Sequence, residues 1–226
     1  MGDEVWYATI VGVVVLSGLS IFYILYLAKM RRTKTNAAWK QAASELGLDF
    51  TPVTRIFGKY RMSGVIGKQL SCSVWAYTEP NGQGGYTTIM NYDVRFSQPL
   101  NLGLVVKREG SILGKITTGL MGHGSTGLAG KQDIHTDNPV FDKAFTVKGT
   151  DENKVNELLT PNIQSKLLEV SNVLKNLVVS DDSVNSIGMH GFIRESEILV
   201  QNVKLLIQLA ELIIPNEEVD SIFEEI

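Results

Sequence analysis

The sequence predicts an α+β protein: one N-terminal transmembrane helix, then a domain built on a mainly antiparallel sheet covered by helices. Three observations carry this expectation. The stretch 5–28, VWYATIVGVVVLSGLSIFYILYLA, holds 24 residues without a charge. Between residues 59 and 108, runs of alternating apolar and polar residues are separated by Gly- and Pro-rich breaks. Towards the C-terminus, 161–174 and 194–214 carry apolar stripes at helical spacing.

The stretch from Val5 to its close at Ala28 would be about 36 Å long as a helix, against a hydrocarbon core of about 30 Å. A cleaved signal peptide wants a basic start, a short apolar run and a small-residue cleavage site. Here the start is acidic (Asp3, Glu4), and Lys29-Met30-Arg31-Arg32 follows the run directly. Trp6 and Tyr7 at one end and Tyr23 and Tyr26 near the other match aromatic belts at the two headgroup levels. Lys29, Arg31, Arg32 and Lys34 follow the span and no Lys or Arg precedes it. The positive-inside bias therefore places the N-terminus outside and residues 33–226 in the cytoplasm, at the cell (inner) membrane. Gly2 is present, but Trp6 stands where N-myristoylation wants Ser or Thr. Ala8 and Gly12 make one small-xxx-small pair, most simply read as lipid-facing small residues.

The expected division is 1–32 for tail, span and basic flank, 33–214 for one soluble domain, and 215–226 for an acidic tail. Residues 33–37 read as a polar linker, and 37–48 as a short amphipathic helix ended by Gly47. Strands are expected at 59–66, 70–78, 86–96 and 102–108. In the second, Leu70, Cys72, Val74 and Ala76 face one way; in the third, Tyr86, Thr88, Met90, Tyr92, Val94 and Phe96 do. Pro80-Asn81-Gly82 makes the second and third a hairpin, and an antiparallel meander is the simplest continuation. Seven glycines between Gly110 and Gly130 read as a mobile loop. A strand is expected at 141–148, and a helix from Asp151 capped by Thr150. Thr160-Pro161 starts a further helix, a capping residue followed by proline. Asp181-Asp182 joins a hairpin of 177–180 and 183–189. The last helix, 194–214, carries Leu199, Val203, Leu206, Ala210 and Ile213 on one stripe and is stopped by Pro215.

Composition narrows the function classes. Cys72 is the single cysteine, so neither an intrachain disulfide nor a Cys-based zinc site can be built. Nine basic residues stand against two acids between Lys29 and Lys68. Such a segment can rest on anionic lipid headgroups. With no strong basic excess overall and no reading motif, nucleic acid is not an expected partner.

Two stretches hold residue types that could carry chemistry. Gly122-His123-Gly124-Ser125-Thr126-Gly127 matches G-x-G-x-x-G, but no helix signal follows it, so no nucleotide or other cofactor is expected. Asp133, His135 and Asp137 have i, i+2, i+4 spacing, which in an extended segment points three polar groups one way. With His123 they are the candidate catalytic or metal-holding residues; the solvent face of a loop explains them equally. His190, beside Gly191, reads as structural.

The run His135-Thr136-Asp137-Asn138-Pro139-Val140-Phe141-Asp142-Lys143-Ala144-Phe145, followed by Val147-Lys148-Gly149 and then Leu158-Leu159-Thr160-Pro161, resembles a loose group of uncharacterised bacterial proteins. That group pairs a GD-x-x-FD-x-x-F-x-V-x-G strand start with an LLTP helix start; Thr136 stands here where it usually has glycine. The resemblance spans roughly residues 38–212 and implies a membrane-tethered α+β domain, with no chemistry attached. Physically, Phe141 and Phe145 anchor the core and Asp142 ties down a turn. The function expected is a non-enzymatic binding or scaffold module at the membrane surface, bound to the bilayer through residues 5–28 and to an unknown protein partner. The alternatives are a membrane-bound hydrolase or metal-dependent enzyme using Asp133, His135 and Asp137, and an anionic-lipid-binding or sensing domain.

Overall fold

A computed structural model describes residues 3–55, 58–82, 84–109, 132–189 and 193–214. The glycine-rich stretch 110–130 with His123, as well as His190 and the acidic tail 215–226, lie outside the described residues.

The first helix, α1 (Asp3–Leu46), is one continuous element of 44 residues, about 66 Å long at 1.5 Å per residue. The linker expected at 33–37 does not exist. Residues 29–46 contain neither Gly nor Pro. Thr33 and Thr35, which read as linker residues, donate their hydroxyls to the carbonyls of Lys29 (3.1 Å) and Arg31 (3.0 Å) one turn back. Gly47 ends the helix at φ +67°, with Leu48 N–H donating to the Ala43 carbonyl at 2.8 Å, a Schellman closure. The helix is long and apolar enough to cross a membrane, and none of its 18-residue apolar window is buried.

Among the described residues, nine strands form one antiparallel sheet: β1 (Asp49–Thr51), β2 (Tyr60–Ile66), β3 (Leu70–Pro80), β4 (Tyr86–Phe96), β5 (Val105–Arg108), β6 (Gln132–Ile134), β7 (Phe145–Gly149), β8 (Leu177–Ser180) and β9 (Ser183–Met189). Their spatial order is β1-β2-β3-β4-β9-β8-β5-β7-β6. Between them come α2 (Pro139–Ala144), α3 (Glu152–Leu158) and α4 (Pro161–Val173); α5 (Ser196–Ile213) closes the fold.

The meander expected after β4 is overturned, because the β8–β9 hairpin sits between β4 and β5. The cause is Asp181, in the turn of that hairpin. Its carboxylate accepts the backbone N–H groups of Leu102 (3.1 Å), Gly103 (2.8 Å) and Leu104 (2.9 Å). Asn101 at φ 57° and Gly103 at φ 61° give the chain the left-handed steps that wrap it around this carboxylate. It therefore crosses the hairpin turn and begins β5 on the far side of β8.

Two local expectations also change. Of the strand expected at 141–148, residues 141–144 belong instead to α2: Asn138 accepts N–H bonds from Val140 (3.1 Å) and Phe141 (3.3 Å), and Pro139 fills the first helical position. The cap of α3 is Asp151, which accepts from Lys154 N–H at 3.2 Å, while Thr150 donates its hydroxyl to the Leu102 carbonyl at 2.8 Å. Thr160 caps α4 as expected, accepting from Ile163 N–H at 3.4 Å.

The end of α1, α4 and α5 cover one face of the sheet and share a core with it that includes Trp39, Met62, Val74, Met90, Leu167 and Leu206. Every residue of the expected Leu199–Ile213 stripe is buried. β4 departs from simple alternation. Tyr86 is 65% exposed, because the β3–β4 hairpin extends beyond the ends of β2 and β9. Ile89, on the other face, is buried in a second small cluster with Val178 and Ile187.

Candidate functional site

The sequence placed its candidate chemistry at Asp133, His135 and Asp137. Asp133 is exposed in β6 and pairs with Lys148 Nζ at 3.0 Å. The strand ends at Ile134, so the extended geometry that would align the three does not continue. His135 and Asp137 are exposed. His135 Nδ1 lies 4.0 Å from Asp142 Oδ2. That carboxylate is engaged by Thr136, through its N–H (3.1 Å) and its hydroxyl (2.9 Å), so Asp142 ties down the turn as its motif suggested. Phe141 and Phe145 are buried and stack at 4.9 Å. Among the described residues, no three or more His, Cys, Asp and Glu side chains are grouped to hold a metal.

A more defined construction stands where α1 enters the domain. Asn36 donates from Nδ2 to the Val53 carbonyl and accepts the Val53 N–H, both at 3.0 Å. One turn earlier, the Arg32 guanidinium donates to the Thr54 carbonyl. One turn later, Trp39 is fully buried, donates Nε1–H to the Ile193 carbonyl at 3.3 Å, and packs on Tyr60 and Phe50 at ring distances of 5.5 and 6.3 Å. Burial raises the Tyr60 phenol pKa, opposed by a side-chain hydrogen bond with Thr35 and by the charges of Arg32 and Arg194. At i, i+4, i+7 spacing, Arg32, Asn36 and Trp39 share one face of α1. Of the residues expected to anchor the chain in a membrane, Trp6, Tyr7, Tyr23, Tyr26, Lys29 and Arg31 are exposed, whereas half-buried Arg32 belongs to this joint.

The joint orients the domain. The chain runs up α1 away from the apolar stretch, and β1 brings it back down to Val53 and Thr54 beside Asn36 and Arg32. Antiparallel pairing then puts Tyr60, the β3–β4 turn and the start of α5 near the apolar stretch. Gln69, Phe96 and the end of α5 lie at the opposite end. There a cavity of about 440 Å³ opens, lined among others by Gln69, Phe96, Pro99, Leu100, Lys154 and Leu158. No sequence pattern announces it, since its walls come from four separated segments. Its one local trace is Ser97-Gln98-Pro99, polar turn residues between two strands.

Inside the core, burial pushes the Cys72 thiol up to about 12, with the charge of Asp93 adding to it. Burial likewise raises Tyr92 to about 12, against a hydrogen bond from Asn202 Nδ2 at 3.1 Å. Both groups are therefore held neutral across the physiological range.

Residues 86–184 match a family described as "Protein of unknown function (DUF3137)"; this stretch includes the 135–149 run and Leu158-Leu159-Thr160-Pro161. No curated protein matches the chain. Among solved structures, the mycobacterial trehalose monomycolate transport factor A, TtfA, is similar over 80% of this chain and 97% of its own, at 10% identity and a TM-score of 0.43.

Proposed function

We propose that this chain is a single-pass membrane protein whose folded domain is a non-enzymatic binding or scaffold module, held at the bilayer surface with its cavity turned away from the membrane. The observation that carries this reading is the continuity of α1. Its first part is apolar and exposed, and its last part is core, with no break between. The domain is thus fixed to the span, and the cavity at its far end faces outward from the bilayer. In this reading residues 1–32 are tail, span and basic flank, 33–214 the module in the cytoplasm, and 215–226 a tail beyond it. The membrane is the cell (inner) membrane. The cavity's apolar wall residues, with both Lys154 and Glu157 in the lining, suit an apolar side chain flanked by polar groups on a partner protein.

A photo-crosslinking amino acid at Gln98, in the cavity, tests this when compared with one at Val65, exposed on β2. The full chain is expected to give a discrete adduct in membranes from position 98 alone. The same adducts from both positions, or none, would count against a binding module. Protease protection of the domain in sealed spheroplasts, with cleavage after lysis, is the expected result for its cytoplasmic placement.

A further inference from the structure

The cations between residues 29 and 68 do not form one patch, because the fold sorts them. Lys68 stands beside Gly67 in the β2–β3 turn, at the far end of the sheet. Lys40 lies six residues up α1 from Lys34, about 9 Å away. Lys29, Arg31 and Lys34 are all exposed directly after the apolar part of α1; at 100° per residue Arg31 and Lys34 stand about 60° apart on one side of the helix and Lys29 on the other. Arg55 joins them because Val53 and Thr54 are held by Asn36 and Arg32. Arg194 joins from a remote part of the sequence, because Ile193 accepts the Trp39 indole N–H. Its charge acts on Tyr60 together with that of Arg32. Arg55 and Arg194 are both exposed. Beside Arg194, Glu195 accepts the Arg194 N–H at 3.1 Å.

Lys29, Arg31 and the Arg32–Thr54 contact lie at the height of a headgroup layer. Leu27 and Ala28 are already partly covered, so the domain begins where the apolar stretch ends. From Ala28 to Arg32 the helix rises about 6 Å. A headgroup layer is about 5–8 Å thick on each side of the hydrocarbon core. Thr54, bonded to Arg32, therefore stands at the outer edge of that layer.

We propose that Lys29, Arg31, Lys34, Arg55 and Arg194 form a collar that seats the domain on anionic lipid headgroups. This rests on the reading of α1 as a membrane span. Each cation near an anionic surface favours contact by roughly fivefold. Arg55 and Arg194 matter most, since they set which side of the domain lies down.

The test uses the full chain reconstituted in bilayers of phosphatidylcholine alone or mixed with phosphatidylglycerol. Flotation after a carbonate wash reports the span. Amide hydrogen exchange of residues 53–55 and 193–195 reports the collar, with 97–101 as the remote control. Exchange at the first two segments is expected to slow about fivefold or more in the anionic bilayer, and the effect to vanish in high salt. It is expected to shrink severalfold in the Arg55→Gln/Arg194→Gln variant, which keeps the flank that directs insertion. Equal exchange in the two lipids with flotation intact overturns the collar alone, as does an undiminished effect in the double variant. Failure to float in either lipid overturns the span and the collar with it.

Discussion

Replacing Trp39 by alanine tests whether the apolar part of α1 and the domain are one body. Trp39 is fully buried, packs on Tyr60 and Phe50, and bonds the Ile193 carbonyl at 3.3 Å. Removing a buried Trp side chain costs about 3–5 kcal/mol. The lost hydrogen bond adds about 1 kcal/mol. The total, about 4–6 kcal/mol, corresponds to a fall in Tm of roughly 8–24 °C for a domain of this size. The assay is thermal and urea unfolding of the full chain in detergent micelles, followed by near-ultraviolet circular dichroism. Trp6→Ala is the matched control, since Trp6 is 64% exposed on the apolar part and its loss should leave domain stability unchanged. A loss below about 1 kcal/mol for Trp39→Ala would show that the indole is not core and that the joint is loose.

Other consequences follow from single contacts. Asp181→Ala removes a carboxylate from three backbone donors and should cost about 2–4 kcal/mol in urea unfolding, with β5 amides losing hydrogen-exchange protection first. Cys72 and Tyr92 have folded-state pKa values raised to about 12, so the folded state holds their protons longer than the unfolded chain. The stability they contribute is fully present below about pH 8.5 and is lost as pH rises from there towards 12, which an alkaline series of urea melts would register. Under native conditions Cys72 should resist thiol reagents until the domain unfolds. His135→Ala, on an exposed side chain, should change stability by less than about 0.5 kcal/mol, whereas Asp142→Ala, which frees the Thr136 N–H and hydroxyl, should cost about 1.5–3 kcal/mol.

Local chemistry was readable in the sequence where it is set by near neighbours. The alternation of Leu70, Cys72, Val74 and Ala76, the Thr160-Pro161 start of α4 and the stripe of α5 each depend on residues within a few turns, and each is found. The order of the sheet was not readable, because it turns on Asp181 gripping N–H groups nearly eighty residues away. Thr33-Lys34-Thr35-Asn36 has the composition of a linker. What keeps it helical is the pairing of Asn36 with Val53 and of Arg32 with Thr54, which no periodicity announces. The far cavity and the place of Arg194 beside Arg32 share that origin: residues distant in sequence meet only once the fold is made. The Asp133, His135, Asp137 row depended on an extended segment that stops at Ile134.

The orientation of the domain can be measured by depth-dependent fluorescence quenching. A label is placed at Arg55→Cys or at Gln98→Cys in the reconstituted full chain, with buried Cys72 left unlabelled. Along α1 the Arg32–Leu46 segment alone rises about 21 Å, more than two headgroup layers. A headgroup-borne quencher should therefore dim the label at position 55 and leave the label at position 98 bright. Equal quenching at the two positions, or stronger quenching at position 98, would contradict the proposed domain fixed upright on a membrane-spanning α1.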